Sequence, residues 1–578
     1  MGKGVNWNGK YFIIPQAASV VDESGLNRVA LGASGRLVLM GDMIGLIEPK
    51  TAKKITSPSL GLSLVHPNSE EVRQAIRLAF DPVPGSGISG ANEVYLLPVN
   101  PAVQANLTID SKLKLTSFIY GLPANQVKVK IEDGTTSGKK ISIAFVDELE
   151  TYDNVEKPSL SIQYTGAGSA ALLSIDQGTG TLSTVCTDAT DDNLSLPFAT
   201  YDTIQALANA IADTGVYDVE VLSGSAAVDS CSDLDAVTDV DIKTAVVEFN
   251  SDLKAILDII NRSSGYVSAE AVSGAAAAPA NQDWTYLAGG DNGTTDSDDW
   301  QEAFDLLKTM QVDLICLLTS DASIHSMGDS HCDYMSGFEG KSERRLFVGG
   351  AVQSWGNEAN RTAAVTALKA AAKLLNSDRT INVGLGCKLY NEEGISTLYP
   401  AYITAAAYAG IAAGNLVSMP LTRKFLRVLG LEVELRKGEI QDLLEAGVAV
   451  PIPDLVNNAG FVISRQVTTW LQNSNDYRVE FSVGRGADYV AAEVRRRHEE
   501  LVGEAGYEAM DQTLINLTNA VLGQAKRDGI INSYDPKATQ VRADGTIRYI
   551  DYSADPVLPI NWIFSTYHLQ PTIRTIAL

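Results

Sequence analysis

Three groups of residues have the types and spacing that could support chemistry. Gly340-Lys341-Ser342 ends like a phosphate loop, in which backbone amides cradle phosphate oxygens and the lysine reaches over them. Met335 stands where that spacing needs its first glycine. Gly138-Lys139-Lys140 departs twice, with Asp133 at the glycine position and Lys140 where Ser or Thr belongs. Gly87-Ile88-Ser89-Gly90-Ala91 lacks the last glycine of a nucleophile elbow. His325, His331 and Cys332 are soft metal ligands, but their spacing matches no common zinc pattern, and the adjacency of His331, Cys332 and Asp333 is not triad geometry. Asp291 to Asp299 is the densest oxygen-ligand run. It places glycine at the third position and closes without glutamate, so it reads as a turn into a helix capped by Asp299 rather than a calcium loop. The residues therefore call for no catalytic group, no metal and no cofactor. Absent motifs leave a divergent hydrolase or nucleotide-binding enzyme as one alternative, and a surface-layer or adhesin-like structural protein as another.

The elements that would position such groups follow from pattern. Arg36–Gly41, Glu93–Val99 and the run around Cys316 read as buried strands. Asn68 and Glu71 form a capping-box pair ahead of a helix carrying Val72, Ile76, Ala79 and Phe80. Helices are expected near 203–212, after Asp299, at 361–375, 439–446, 488–501 and 511–527, with a hairpin at 542–547. Between 104 and 240 the rhythm changes to short alternating strands, such as Val127–Ile131 and Lys140–Phe145 around Asp133-Gly134. The fold class is multi-domain α/β and α+β: a discontinuous central α/β domain (25–103 and 241–394), a β-rich inserted domain (104–240), an α+β domain (395–549), and arms at 1–24 and 550–578. The uncharged stretch 394–422 is broken by Pro400, Asn415 and Pro420, so it is read as a buried helix and not a membrane span.

Both arms carry apolar residues that need a partner surface: Tyr11, Phe12, Ile13 and Ile14 near the start, and Ile560, Trp562, Ile563 and Phe564 near the end. The terminal segment is apolar on both faces of a strand and should be sandwiched. The chain has 578 residues and a net charge of −25, which excludes the basic footprint of a nucleic-acid binder and disfavours anionic membranes. Residues 104–240 hold seven Lys/Arg against 20 Asp/Glu, and residues 399–578 hold 17 against 20. An exposed middle and a contact-making C-terminal third would explain that contrast. Arg495, Arg496 and Arg497 form a basic cluster in a helix, read as a solvated face or a contact for an acidic partner. The five cysteines show no CxxC spacing. Cys316 reads as core. Cys186 and Cys231 lie in polar, acidic stretches, so they are expected near the surface, as free thiols or as an inter-subunit disulfide. The N-terminus has no apolar stretch of the kind that starts a secretion signal.

Several blocks, in order, resemble one family. They are Val38-Leu39-Met40-Gly41-Asp42-Met43-Ile44-Gly45, Ala91 to Val99, Leu287-Ala288-Gly289-Gly290-Asp291-Asn292-Gly293 with Asp299 and the strand to Cys316, Leu443 to Val448, and Pro556 to Ile563. Together they resemble the contractile-tail sheath proteins of myophages and related injection machines. The departures are the N-terminal arm and the size of the insertion. The resemblance implies a virion structural protein, assembled in the host cytoplasm, that forms stacked six-fold rings around a tail tube. It implies arms that add strands to neighbouring subunits, and contraction without nucleotide that drives the tube through the host envelope. The implied partners are further copies of the chain, the tube protein, and baseplate and tail terminator proteins, with no nucleic acid and no membrane insertion. The C-terminal domain would face the tube, with Arg495–Arg497 as candidate contacts.

Overall fold

Leu37-Val38-Leu39-Met40 and Leu314-Ile315-Cys316-Leu317 carry no polar side chain on either face, the pattern of strands covered on both sides. The computed structural model, which describes residues 5–7, 10–12, 35–83, 85, 88–222, 227–454 and 460–568, places them at the centre of one seven-stranded sheet. Its strands in chain order are β1 (Arg36–Gly41), β2 (Lys53–Ile55), β3 (Glu93–Pro98), β4 (Leu314–Leu317), β5 (Arg345–Gly349), β6 (Thr380–Val383) and β7 (Val448–Ala449). The order across the sheet is β7-β6-β5-β4-β1-β3-β2, parallel except for β2 on the edge. Leu37 lies opposite Leu314 and Met40 opposite Leu317.

Alternate side chains enter two cores. Leu37, Leu39, Leu314 and Cys316 pack beneath α1 (Glu70–Phe80) and the later helix Ala401–Gly414. Val38, Met40, Ile315 and Leu317 pack under α2 (Ser297–Lys308) and α3 (Ala322–Ser336). Helices on both faces of a parallel sheet bury it fully. The helix α4 (Glu358–Leu375) follows β5, and Ala401–Gly414 is α5. Residues 401 to 413 of α5 are all buried, as the uncharged stretch required, and no helix among the described residues is long and apolar enough to cross a membrane.

Two caps differ from expectation. Ser69, not Asn68, precedes α1, and its hydroxyl accepts from the Ile44 amide instead of capping. Asp296, not Asp299, caps α2. Asp299 is the third helical residue and returns the bond to the Asp296 amide, completing a capping box.

The insertion does not end near 240. The strands Val247–Asn250, Val267–Ala271 and Gln282–Tyr286 and the helix Asp252–Ser263 complete its sheets. It contains two nested cores. One gathers Ile131, Ile141, Ile143, Ile256 and Val267. The other lies within 158–250 and gathers Leu160, Leu173, Leu182, Leu207 and Phe249. The expected boundary at 395 also moves, because α5 covers the central sheet and β7 is its edge strand. The separate C-terminal core forms between α6 (Phe481–Glu499) and α7 (Glu508–Arg527), around Val490, Val494, Leu522 and Ile530. Arginine-bearing hairpin strands Gln540–Asp544 and Ile547–Asp551 pair as expected.

Backbone contact between α5 and α1 depends on Gly410. A Cβ there would lie 2.4 Å from the Ala79 carbonyl oxygen and 2.7 Å from its Cα. Gly410→Ala should lower the thermal midpoint, because overpacking of about 1–3 kcal/mol outweighs a helix-propensity gain of about 1 kcal/mol. Gly438→Ala, where nothing lies within 4 Å, should leave the midpoint unchanged or raise it.

Candidate functional site

The groups with chemical promise are consumed by structure. The amides of Lys341 and Ser342 donate back to the carbonyls of Gly337 and Met335, so this turn presents no amide cradle. His331 is buried. Its Nε2 accepts from Arg344 Nη1 at 2.8 Å, and burial together with that guanidinium pushes its pKa down to about 3. His325 Nε2 lies 2.8 Å from the Thr319 carbonyl oxygen and donates to it. Cys332 is buried, and burial pushes its thiol up to about 12. In the acidic run, Asp291 accepts from the Gly293 amide, Asp296 caps α2, and Asp299 pairs with Lys50 at 2.8 Å. Among the described residues no three His, Cys, Asp or Glu side chains gather as a metal site.

Cys186 and Cys231 are not at the surface. Both are free thiols in the outer insertion core, 2 % and 0 % exposed. Their flanking acids misled because period-two alternation on a strand turns Cys186 inward while Val185 and Thr187 face out, and Cys231 begins a short 3-10 turn that points its thiol into the core. A disulfide between subunits would require that core to open.

Arg495, Arg496 and Arg497 end α6, where cations oppose the helix dipole. Arg495 reaches Glu343 at 2.6 Å, Arg496 pairs with Glu493 at 2.7 Å, and Arg497 lies 3.9 Å from Glu500. Arg495 is thus a strut to the loop before β5, while Arg496 and Arg497 stay half-exposed.

The C-terminal segment differs most from a finished fold. After the short strand Ala554–Pro556, which pairs with Ile531–Tyr534, residues 557–568 have no regular structure. Among the described residues the expected sandwiched strand does not form, and its last part, 569–578, lies outside them. Ile560 is 81 % exposed, Trp562 66 %, Ile563 84 % and Phe564 93 %. Full burial of four such side chains would contribute roughly 6–12 kcal/mol, against an ordering cost of about 1–2 kcal/mol per residue. Only a partner that also supplies backbone hydrogen bonds gives a clear surplus.

Two contacts hold the segment to the body. Asn561 Nδ2 donates to Glu480 Oε1 at 2.9 Å, and the Arg465 guanidinium lies 5.1 Å from the Trp562 ring centre. Glu480 is 1 % exposed, pairs with Arg465 at 2.6 Å, and precedes α6, whose N-terminal dipole favours its charge. Spacing gave no sign of this seat, since Arg465 and Glu480 meet only through the fold. The N-terminal arm residues Ile13 and Ile14 lie outside the described residues. Tyr11 and Phe12 fall in a strand, Lys10–Phe12, that pairs with Val5–Trp7.

A second cluster, also invisible to spacing, ties α6 to the sheet. Asp488 accepts from Arg345 Nε at 2.8 Å and Arg379 Nη1 at 2.7 Å, with Arg345 2 % exposed.

Comparison with known proteins gives one consistent result. The chain is 29 % identical over 588 residues to the tail sheath protein of Bacillus phage SP01, covering 98 % of this chain and 97 % of the relative. It is 24 % identical over 599 residues to the tail sheath protein of Staphylococcus phage Twort, covering 97 % and 98 %. The fold matches that of the sheath tail protein from Desulfitobacterium hafniense with a TM-score of 0.55 at 13 % identity, over 94 % of this chain and 96 % of that one. No protein-family model matches. The chain is a homologue of phage tail sheath proteins along its length, and those homologues are structural proteins rather than enzymes.

Asp488→Asn should cost about 3–5 kcal/mol, measured by urea unfolding, because it leaves two guanidiniums buried without their counter-charge. All five cysteines should resist a thiol reagent at pH 8 until denaturant is added, since each is buried. Fast labelling of native Cys186 or Cys231 would contradict their placement.

Proposed function

We propose that this chain is the structural subunit of a contractile tail sheath, polymerising as stacked six-fold rings around the tail tube. The carrying observation is an exposed apolar arm, 557–568, leaving a well-buried body, in a chain aligned end to end with tail sheath proteins. An extended segment with free backbone groups and apolar side chains binds by adding a strand to another sheet. In this reading each arm leaves its own Glu480 and Arg465 and completes a sheet of a neighbouring copy. A head-to-tail contact that does not close on itself builds a helix rather than a ring.

The acidic insertion then lies on the outside of the tail. The C-terminal unit faces the tube protein, with Arg496 and Arg497 as the more exposed of the three predicted contacts. Baseplate and terminator proteins meet the two ends of the polymer, and assembly takes place in the host cytoplasm. Contraction drives the tube through the host envelope as subunits repack as rigid bodies while the arms stay linked. An extra ~200 Å² of apolar burial per subunit would release about 5 kcal/mol, and a long polymer multiplies that figure. Stored packing energy of this size needs no nucleotide.

Deleting 557–578 should leave a folded monomer with an unchanged cooperative transition but no polymer in sedimentation. Trp562→Ala should weaken polymerisation in the same direction. Polymers formed by the truncated chain would contradict the arm's role.

A further inference from the structure

A cavity of about 520 Å³ opens where the starts of β1, β4 and β5 face α6. Its wall carries eight Lys/Arg against five Asp/Glu, in a chain of net charge −25. Those five carboxylates are already engaged, as in Asp313 with Arg36 at 2.9 Å, Glu343 with Arg495 at 2.6 Å and Glu499 with Lys341 at 3.6 Å. The surplus is cationic, and part of it is buried.

Arg344 is 0 % exposed and ion-pairs with no carboxylate among the described residues. Its Nη1 donates to His331, its Nη2 to the Met310 carbonyl oxygen at 2.6 Å, and its Nε has no partner. His331 is held neutral there, so it returns no negative charge. On α6 itself, Arg485 is 5 % exposed and donates to the Ala412 carbonyl oxygen. Burial holds both guanidiniums down to about 10. Buried cations beneath a walled cleft raise its potential and attract anions. At the mouth, Lys341 and Arg496 are each 55 % exposed and Arg495 33 %, all within reach of a guest. Gly340-Lys341-Ser342 forms part of this wall, with its amides turned away, so side chains would do the holding.

The geometry points to a binding site for a small multivalent oxyanion, phosphate- or carboxylate-bearing, held by Lys341, Arg495 and Arg496 over the buried charge of Arg344. This site shares Arg495 and Arg496 with the tube contacts proposed above, and the test below reads it on the chain without a tube. Binding would screen the repulsion among the wall's cations and brace the seam between the sheet and α6.

The test titrates the full chain with orthophosphate, pyrophosphate and citrate, with sodium chloride at matched ionic strength as reference, by thermal unfolding and calorimetry. At least one multivalent anion should raise the thermal midpoint beyond chloride. The double variant Lys341→Asn/Arg496→Gln should bind about tenfold more weakly or worse, with its midpoint in chloride unchanged. Should the double variant not fold, Lys341→Asn alone carries the comparison. Preference for pyrophosphate assigns a phosphoryl ligand, preference for citrate a polycarboxylate, and equal response supports the shared oxyanion chemistry. Identical midpoints in all four salts overturn the proposal, as does an equal shift in the variant.

Discussion

Everything in this chain rests on the pairing of β1 with β4. Arg36 and Asp313 are 277 residues apart in sequence, yet they meet through two guanidinium–carboxylate bonds of 2.9 Å at the start of those strands. Closing a flexible loop of that length would cost about 5 kcal/mol beyond a constant term. The insertion removes most of that cost by folding on itself. Val103 and Asp291 exchange backbone hydrogen bonds of 2.8 and 3.2 Å at its base, and Asn106 and Ala288 do the same just above. The central sheet therefore sees the insertion as a short, already closed connection. With the sheet formed, α5 lies on one face and α6 is pinned to its lower edge through Asp488.

That pinning sets where the exposed arm begins. Glu480 starts α6, Arg465 lies just before it in the fold, and both touch the arm at Asn561 and Trp562. A buried carboxylate at a helix N-terminus is a fixed point, whereas the apolar side chains around it are free. The combination gives a segment that is addressed but not satisfied. In the proposed reading such a segment gains from a second copy what the described residues of its own chain do not supply. This is the physical content of the sheath reading, and it is consistent with homologues whose lengths match this chain almost fully.

Much of the fold was legible because its strands and helices are strongly patterned. β1, β3 and β4 are unbroken apolar runs, and α5 is a long uncharged helix, so their existence and burial followed from composition alone. Boundaries were harder. Asp296 and Asp299 are both good caps, and only the three-dimensional turn selects Asp296. The insertion's end at 240 failed because the helix 252–263 and the strands beside it resemble the α/β rhythm, although their partners lie in the inserted sheets. Cys186 and Cys231 failed because local polarity does not say which side chain of a strand, for Cys186, or of a short helical turn, for Cys231, points into the core. The arm's apolar residues were visible in the sequence, but their seat was not, since Arg465, Glu480 and Asn561 meet only in the fold.

The most direct test of the central claim is negative-stain electron microscopy of the purified full chain at high concentration. The account predicts hollow tubes with six-fold helical symmetry, since it proposes that the arms link neighbouring copies. Monodisperse single chains across concentration, in the presence of tail tubes as template, would contradict it.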